Sequence, residues 1–210
     1  IENQVAGGGR EGMKRIIGIG ACVYDTIIVC KDYPKEDTKS PVEKVFCSGG
    51  GPVSNALVVI SKLGFQAEYL GAFAADAAGE YLLKDFGNYG VRTERSVRAG
   101  ERSFNSYILL SDRKHTRTCV FDRGNIPDDP SLFDFSCIAD ADILHLDGNY
   151  LECALSAAKI AHDSGVAVSL DAGGLYSGIE RLLPFVDILI PSAGKFAETI
   201  CTASSCCNRR

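Results

Sequence analysis

Residues 47–64 read CSGGGPVSNALVVISKLG: three glycines, a proline, an asparagine, then an apolar run closed by Leu63-Gly64. Glycines ahead of a helix let the backbone approach a ligand, and the unpaired N–H groups of a first helical turn suit an anion. Spacing excludes two phosphate-binding patterns. No Lys-Ser or Lys-Thr follows Gly49-Gly50-Gly51, so this is not a G-x-x-x-x-G-K-[ST] loop. Nor is it G-x-G-x-x-G, because the third glycine is missing and the next acid, Glu68, comes too soon. A plain strand-to-helix turn and a cradle for an uncharged ligand both remain open.

Further candidate groups lie at the ends of apolar runs. Asp147 in Leu-His-Leu-Asp-Gly-Asn and Asp171 after Val-Ala-Val-Ser-Leu both follow strand-like segments. Open α/β sheets bind ligands beyond the carboxyl ends of their strands. Each aspartate is equally a strand-end turn residue, and Asp25, after the first strand, shares that ambiguity. Arg117 belongs to a polar hairpin, either on its surface or pointing into a cleft to meet phosphate. His145, between Leu144 and Leu146, reads as a core histidine. His115, His145 and His162 have no metal-ligand spacing to one another or to the cysteines, and no C-x-x-C pair occurs.

The elements that must position these groups alternate as short apolar runs and helical patterns, the signature of a βαβ sheet. Core strands are expected at 15–21, 67–73, 141–146, 166–170 and 186–190. Helices are expected at 53–62, 78–89, 151–164 and 175–183. Leu151, Ala154, Leu155, Ala158 and Ala161 fall on one helical face that should pack on the sheet. Four extended runs break the rhythm, at 26–30, 42–47, 104–110 and 116–121. The last two form a hairpin around Ser111-Asp112-Arg113-Lys114-His115. Strands paired outside the βα order predict a small separate sheet, able to act as a lid that excludes water. Residues 1–12 read as an extension, 13–200 as the α/β domain and 201–210 as an irregular tail.

Composition narrows the function classes. The 210 residues are 46% hydrophobic and 23% charged, ordinary values for a soluble enzyme. A net charge of −5 with no basic stripe argues against nucleic acid. No apolar run approaches the roughly 20 residues of a membrane span, and 1–10 is polar and glycine-rich, unlike a signal peptide. The nine cysteines are odd in number and scattered, which points to reduced thiols in the cytoplasm. Cys22, Cys30, Cys47, Cys119, Cys137 and Cys153 lie in apolar segments, where a thiol acts as a small hydrophobe.

Taken in order, these pieces resemble the PfkB/ribokinase family of carbohydrate kinases, particularly its fructokinase- and ketohexokinase-like branches. The motifs are Gly50-Gly51-Pro52-Val53-Ser54-Asn55 with Leu63-Gly64, and Gly18-Ile19-Gly20 through Asp25. To these add Gly71…Asp76…Gly79, Gly90-Val91, and Thr116-Arg117-Thr118 on the lid. The resemblance runs from about residue 13 to 199. It implies a three-layer α/β sandwich with a mainly parallel sheet and a β lid, and ATP-dependent phosphorylation of a sugar hydroxyl with Mg. It implies that Asp25, Gly50, Gly51 and buried Asn55 hold the sugar, that Asp147 and Arg117 meet substrate or phosphate, and that a homodimer forms through the lid.

The sequence also departs from the family. The glycine-rich Gly-Ala-Gly-Asp turn, expected to supply the catalytic base and anion hole, does not occur. Near Pro191-Ser192, where relatives carry Asn-x-x-Glu, Ser192 replaces the asparagine and Glu198 lies three residues beyond the matching position. The closing CTASSCCNRR has no apolar periodicity. The expectation is a C-terminally truncated kinase that keeps the sugar-binding half and is inactive alone. The alternative is a non-catalytic sugar-binding or lid-mediated interaction protein. A nicotinamide-binding Rossmann protein is disfavoured by the glycine spacing and the interposed lid strands.

Overall fold

The computed structural model describes residues 14–174 and 176–192. Eleven strands and three α-helices form a three-layer body and a lid. The body sheet is five-stranded and parallel, in the order β11-β10-β9-β1-β4. Its strands are β1 (Arg15–Ile19), β4 (Gln66–Tyr69), β9 (Ile143–Leu146), β10 (Ala167–Ala172) and β11 (Ile188–Pro191). The lid is a four-stranded mixed sheet ordered β3-β2-β7-β8, from β2 (Val23–Cys30), β3 (Lys44–Gly50), β7 (Phe104–Ser111) and β8 (Thr116–Asp122). The four runs outside the βα rhythm therefore do leave the body sheet. The expected strand at 67–73 is split: Tyr69 ends β4, while β5 (Ala72–Phe73) pairs with β6 (Val97–Arg98) in a separate ribbon.

Alternation along the strands sorts two cores. Ile17, Ile19, Leu144, Leu146, Val168 and Leu170 pack under α3 (Leu151–Asp163). The small side chains Ala154, Ala157, Ala158 and Ala161 let that helix lie close to the sheet. On the opposite face, Ile16, Ala67 and Tyr69 meet α1 (Pro52–Lys62), while α2 (Ala77–Asn88) adds Leu82 and Phe86. The second face is only half covered among the described residues. Beyond α1, the side chains Ile143, His145, Ser169, Ile188 and Ile190 floor an apolar trough of about 610 Å³. Ile188 and Ile190 are 46% and 51% exposed on a parallel strand, where both faces are normally buried.

Two further expectations change. The helix predicted at 175–183 is instead a pair of 3-10 turns, Ile179–Arg181 and Leu183–Phe185. Gly178 at φ 83° and Pro184, which has no N–H to donate, interrupt the ladder. Cys47 and Cys119, read as small core hydrophobes, are exposed on the lid, whereas Cys22, Cys30, Cys137 and Cys153 are buried. His145 is buried as expected, with Ser169 as its neighbour at 3.3 Å. No helix among the described residues is long and apolar enough to cross a membrane. The extension 1–12 and the tail 201–210 lie outside the described residues.

Charge ties the start of β1 and the segment after α2 to β4. Glu68 is 1% exposed and meets Arg15, Arg92 and Arg95 at 2.8, 2.9 and 2.8 Å. Burial alone would raise the Glu68 pKa, but the three guanidiniums hold it below the usual glutamate range. Glu68→Gln should cost about 3 kcal/mol at neutral pH, because it leaves the half-buried guanidiniums without their charge partner. A depressed carboxylate stabilises fully above its unfolded pKa and loses that contribution as pH falls through the folded value. Urea midpoints of parent and variant should therefore converge in acid. A gap that stays constant down to about pH 3 would reject this assignment.

Candidate functional site

A groove of about 700 Å³ opens where the lid, the amino end of α1 and the carboxyl end of β10 meet. Asp25, Gly51, Asn55, Arg117 and Asp171 all line it. Five residues singled out from the sequence thus converge from three parts of the fold.

Asp25 projects from β2, the second strand of the lid. Its register partner on β7 is Ser106, whose hydroxyl donates to the carboxylate at 2.5 Å. Across the sheet lies Gly50, where a Cβ would collide with the Asp25 carboxylate. Glycine is required there by close approach, and Gly50 acts as the wall behind Asp25. Burial pushes the Asp25 pKa up, against the Ser106 hydrogen bond and the charge of Arg117. Arg117 lies on β8, the exposed lid edge, opposite Leu110.

The turn into α1 is made by Gly51 at φ 100°, followed by Pro52 in the first helical turn. Only glycine takes that backbone angle without strain, and a Cβ would strike the Ala21 carbonyl. Asn55, one turn in, is exposed rather than buried as expected, and its side-chain amide carries no hydrogen bond to the described residues. An amide with open donors and acceptor at a groove edge is ready for a hydroxylated ligand.

Asp147 takes a different place from the one the sequence suggested. It is 1% exposed, under the turn and away from the groove. Its carboxylate accepts from the N–H groups of Ala21 at 2.9 Å, Asn149 at 3.0 Å and Val53 at 3.4 Å, and from the Asn149 amide at 3.0 Å. Burial raises its pKa against the pull of those hydrogen bonds. Gly51 offers α1 no side-chain cap, and Asp147 fills that role from across the sheet.

Sequence reasoning missed Ser106, Asn149 and Arg123. Ser106 was legible in principle, since strand alternation puts it on the inner side of the lid. Arg123, just past β8, donates to Asn149 at 3.0 Å and lies 5.4–5.9 Å from the ring centres of Phe104, Phe121 and Tyr176. Its only signal was position after the hairpin. Asp76, read as a motif residue, caps α2 through Gly79 and holds Ser103 at the entry to β7.

The profile of the pfkB family carbohydrate kinases matches residues 13–201. An ATP-dependent ribose-1-phosphate kinase from Halopiger xanaduensis is 28% identical over 163 residues, covering 77% of this chain and 55% of that protein. Mouse ketohexokinase is 28% identical over 116 residues, 55% of this chain and 39% of the enzyme. The structure of Arabidopsis thaliana ribokinase, complexed with ribose and ATP, superposes with a TM-score of 0.72 at 22% identity, covering 93% of this chain and 69% of that one. The chain spans about half the length of the first of these relatives.

Asp147→Ala should lower stability by about 3 kcal/mol, because it strands buried N–H groups that have no other acceptor. The urea midpoint reads the loss. A change near zero would show that the carboxylate is not what holds the turn.

Proposed function

This chain belongs to the pfkB family of carbohydrate kinases, and from that membership we propose that its groove binds a sugar whose hydroxyl is phosphorylated at the expense of ATP. The observation that carries this reading is the pairing of Asp25 and Asn55 across one glycine turn. A carboxylate offers only acceptors and an amide offers both, so together they fit neighbouring hydroxyls of an uncharged polyol. The lid strands carrying Asp25 and Arg117 can exclude water from that ligand. Arg117 is the cation at the groove, suited to a phosphate oxygen.

ATP would supply the phosphoryl group. Among the described residues no three His, Cys, Asp or Glu side chains converge as a metal site, so no step is assigned to Mg. The Gly-Ala-Gly-Asp motif expected to bring base and anion hole does not occur in these 210 residues. We assign to these residues the recognition and enclosure of sugar. The six free thiols among the described residues fit a reducing compartment, and we infer the cytoplasm.

A second reading, an interaction role, rests on the lid. Val45, Tyr107 and Val120 are 52%, 46% and 57% exposed, an apolar surface suited to a homodimer. Val120→Asp should then shift a dimer to monomer in sedimentation. A parent that is monomeric at all concentrations would dismiss the lid dimer.

Calorimetry with fructose, ribose and related sugars tests the main reading. Asp25→Asn and Asn55→Ala should each weaken binding by about 1–3 kcal/mol. Affinity should also fall in acid, beginning above the usual aspartate range because the Asp25 pKa is raised, and this limb should vanish in Asp25→Asn. Equal affinities in parent and both variants would remove the cradle.

A further inference from the structure

We propose that Arg123 is a positioning residue that couples the lid to the glycine turn through Asn149 and Asp147; its link to sugar binding rests on the reading above. Arg123 is the first residue after β8, so it moves with the lid. Its guanidinium lies 5.5 and 5.9 Å from the rings of Phe104 and Phe121, at the lid's inner side, and 5.4 Å from Tyr176 of the body. It donates to the Asn149 side-chain oxygen at 3.0 Å.

The chemistry fixes the direction of this chain of bonds. A guanidinium only donates and an ionised carboxylate only accepts, so the Asn149 amide must turn its oxygen to Arg123 and its NH₂ to Asp147. With Arg123 withdrawn, only the bond to Asp147 holds that orientation, and the buried Asn149 oxygen is left without its donor. A flipped amide would point its oxygen at the buried carboxylate, opposing like partial charges where Asp147 also holds the Ala21 and Val53 N–H groups. Asn149 and Asp147 are 3% and 1% exposed, so water cannot substitute freely. Arg123 itself is exposed, so its replacement leaves the core intact. Lid position is thereby relayed to the segment carrying Gly51 and Asn55, some 70 residues earlier in the chain, by three side chains in hydrogen-bond contact.

The test is amide hydrogen exchange on the full chain without ligand, followed by sugar calorimetry. In Arg123→Gln and Asn149→Ser, the Ala21 and Val53 amides should exchange about tenfold faster, the worth of roughly one net hydrogen bond. Mid-helix amides of α2 should keep their rates. The double variant should be no faster than the more affected single one, as expected for groups acting in one network. Arg123→Lys, which keeps the charge over the rings, should recover part of the protection. Sugar affinity should fall about tenfold in Arg123→Gln, with a melting temperature close to the parent's. Unchanged exchange at Ala21 and Val53, or additive effects in the double variant, would overturn the coupling. Faster exchange with unaltered sugar affinity would overturn the positioning role. A parent that binds none of the sugars would defeat the proposed function, while the exchange measurements still decide the relay.

Discussion

The Asp147 carboxylate is buried where three segments distant in sequence meet: the end of β1, the start of α1 and the end of β9. A buried carboxylate must have its acceptor sites filled, and the N–H groups of Ala21, Val53 and Asn149 fill them. The satisfaction is mutual, since the first turn of a helix cannot pair its own N–H groups. The cost of burying the charge is thereby offset by the groups that most need an acceptor. Because these bonds fix where β1 ends and α1 begins, they fix Gly51 and Asn55, and with them one wall of the groove. Gly20 belongs to the same arrangement: a Cβ there would collide with the Asp147 carboxylate.

The groove and the apolar trough occupy one continuous face of the body sheet. Ala56 and Ile60 of α1 line both, and Asp171 has the same orientation on β10 as Ser169 in the trough floor. The polar end of the face lies toward the carboxyl ends of the strands, where the lid hangs over it. The apolar part extends below, toward Lys14 and Asp142. A single helix, α1, thus covers the second core, walls the groove and borders the trough.

Much of this was legible in the sequence, for identifiable reasons. The lid strands betrayed themselves by extended runs with no helix between them. α1 was delimited by Pro52 at its start and Gly64 after its end, each favoured there by backbone geometry. Asp147 was not readable in the same way. An aspartate at a strand end looks the same whether it faces a ligand or turns inward, and its partners Ala21 and Val53 lie 126 and 94 residues away. The apolar run at 67–73 concealed a change of sheet, because periodicity does not reveal which neighbour a strand will pair with. The spacing at 175–183 resembled a helix, but Gly178 and Pro184 outweighed it.

The lid's central strand has a consequence for how the protein is made. β2 lies between β3, its near neighbour in sequence, and β7, with which it pairs in parallel. Asp25 and Ser106 are 81 residues apart. On the ribosome, β2 and β3 can zip together early, but the other edge of β2 stays open until β7 emerges. Long-range parallel pairing is slow to form, and an unpaired edge invites contact with other chains. The groove-facing Asp25 carboxylate is therefore completed only once β7 has emerged, and until then the half-built lid is a stretch on which a nascent chain would depend on chaperones.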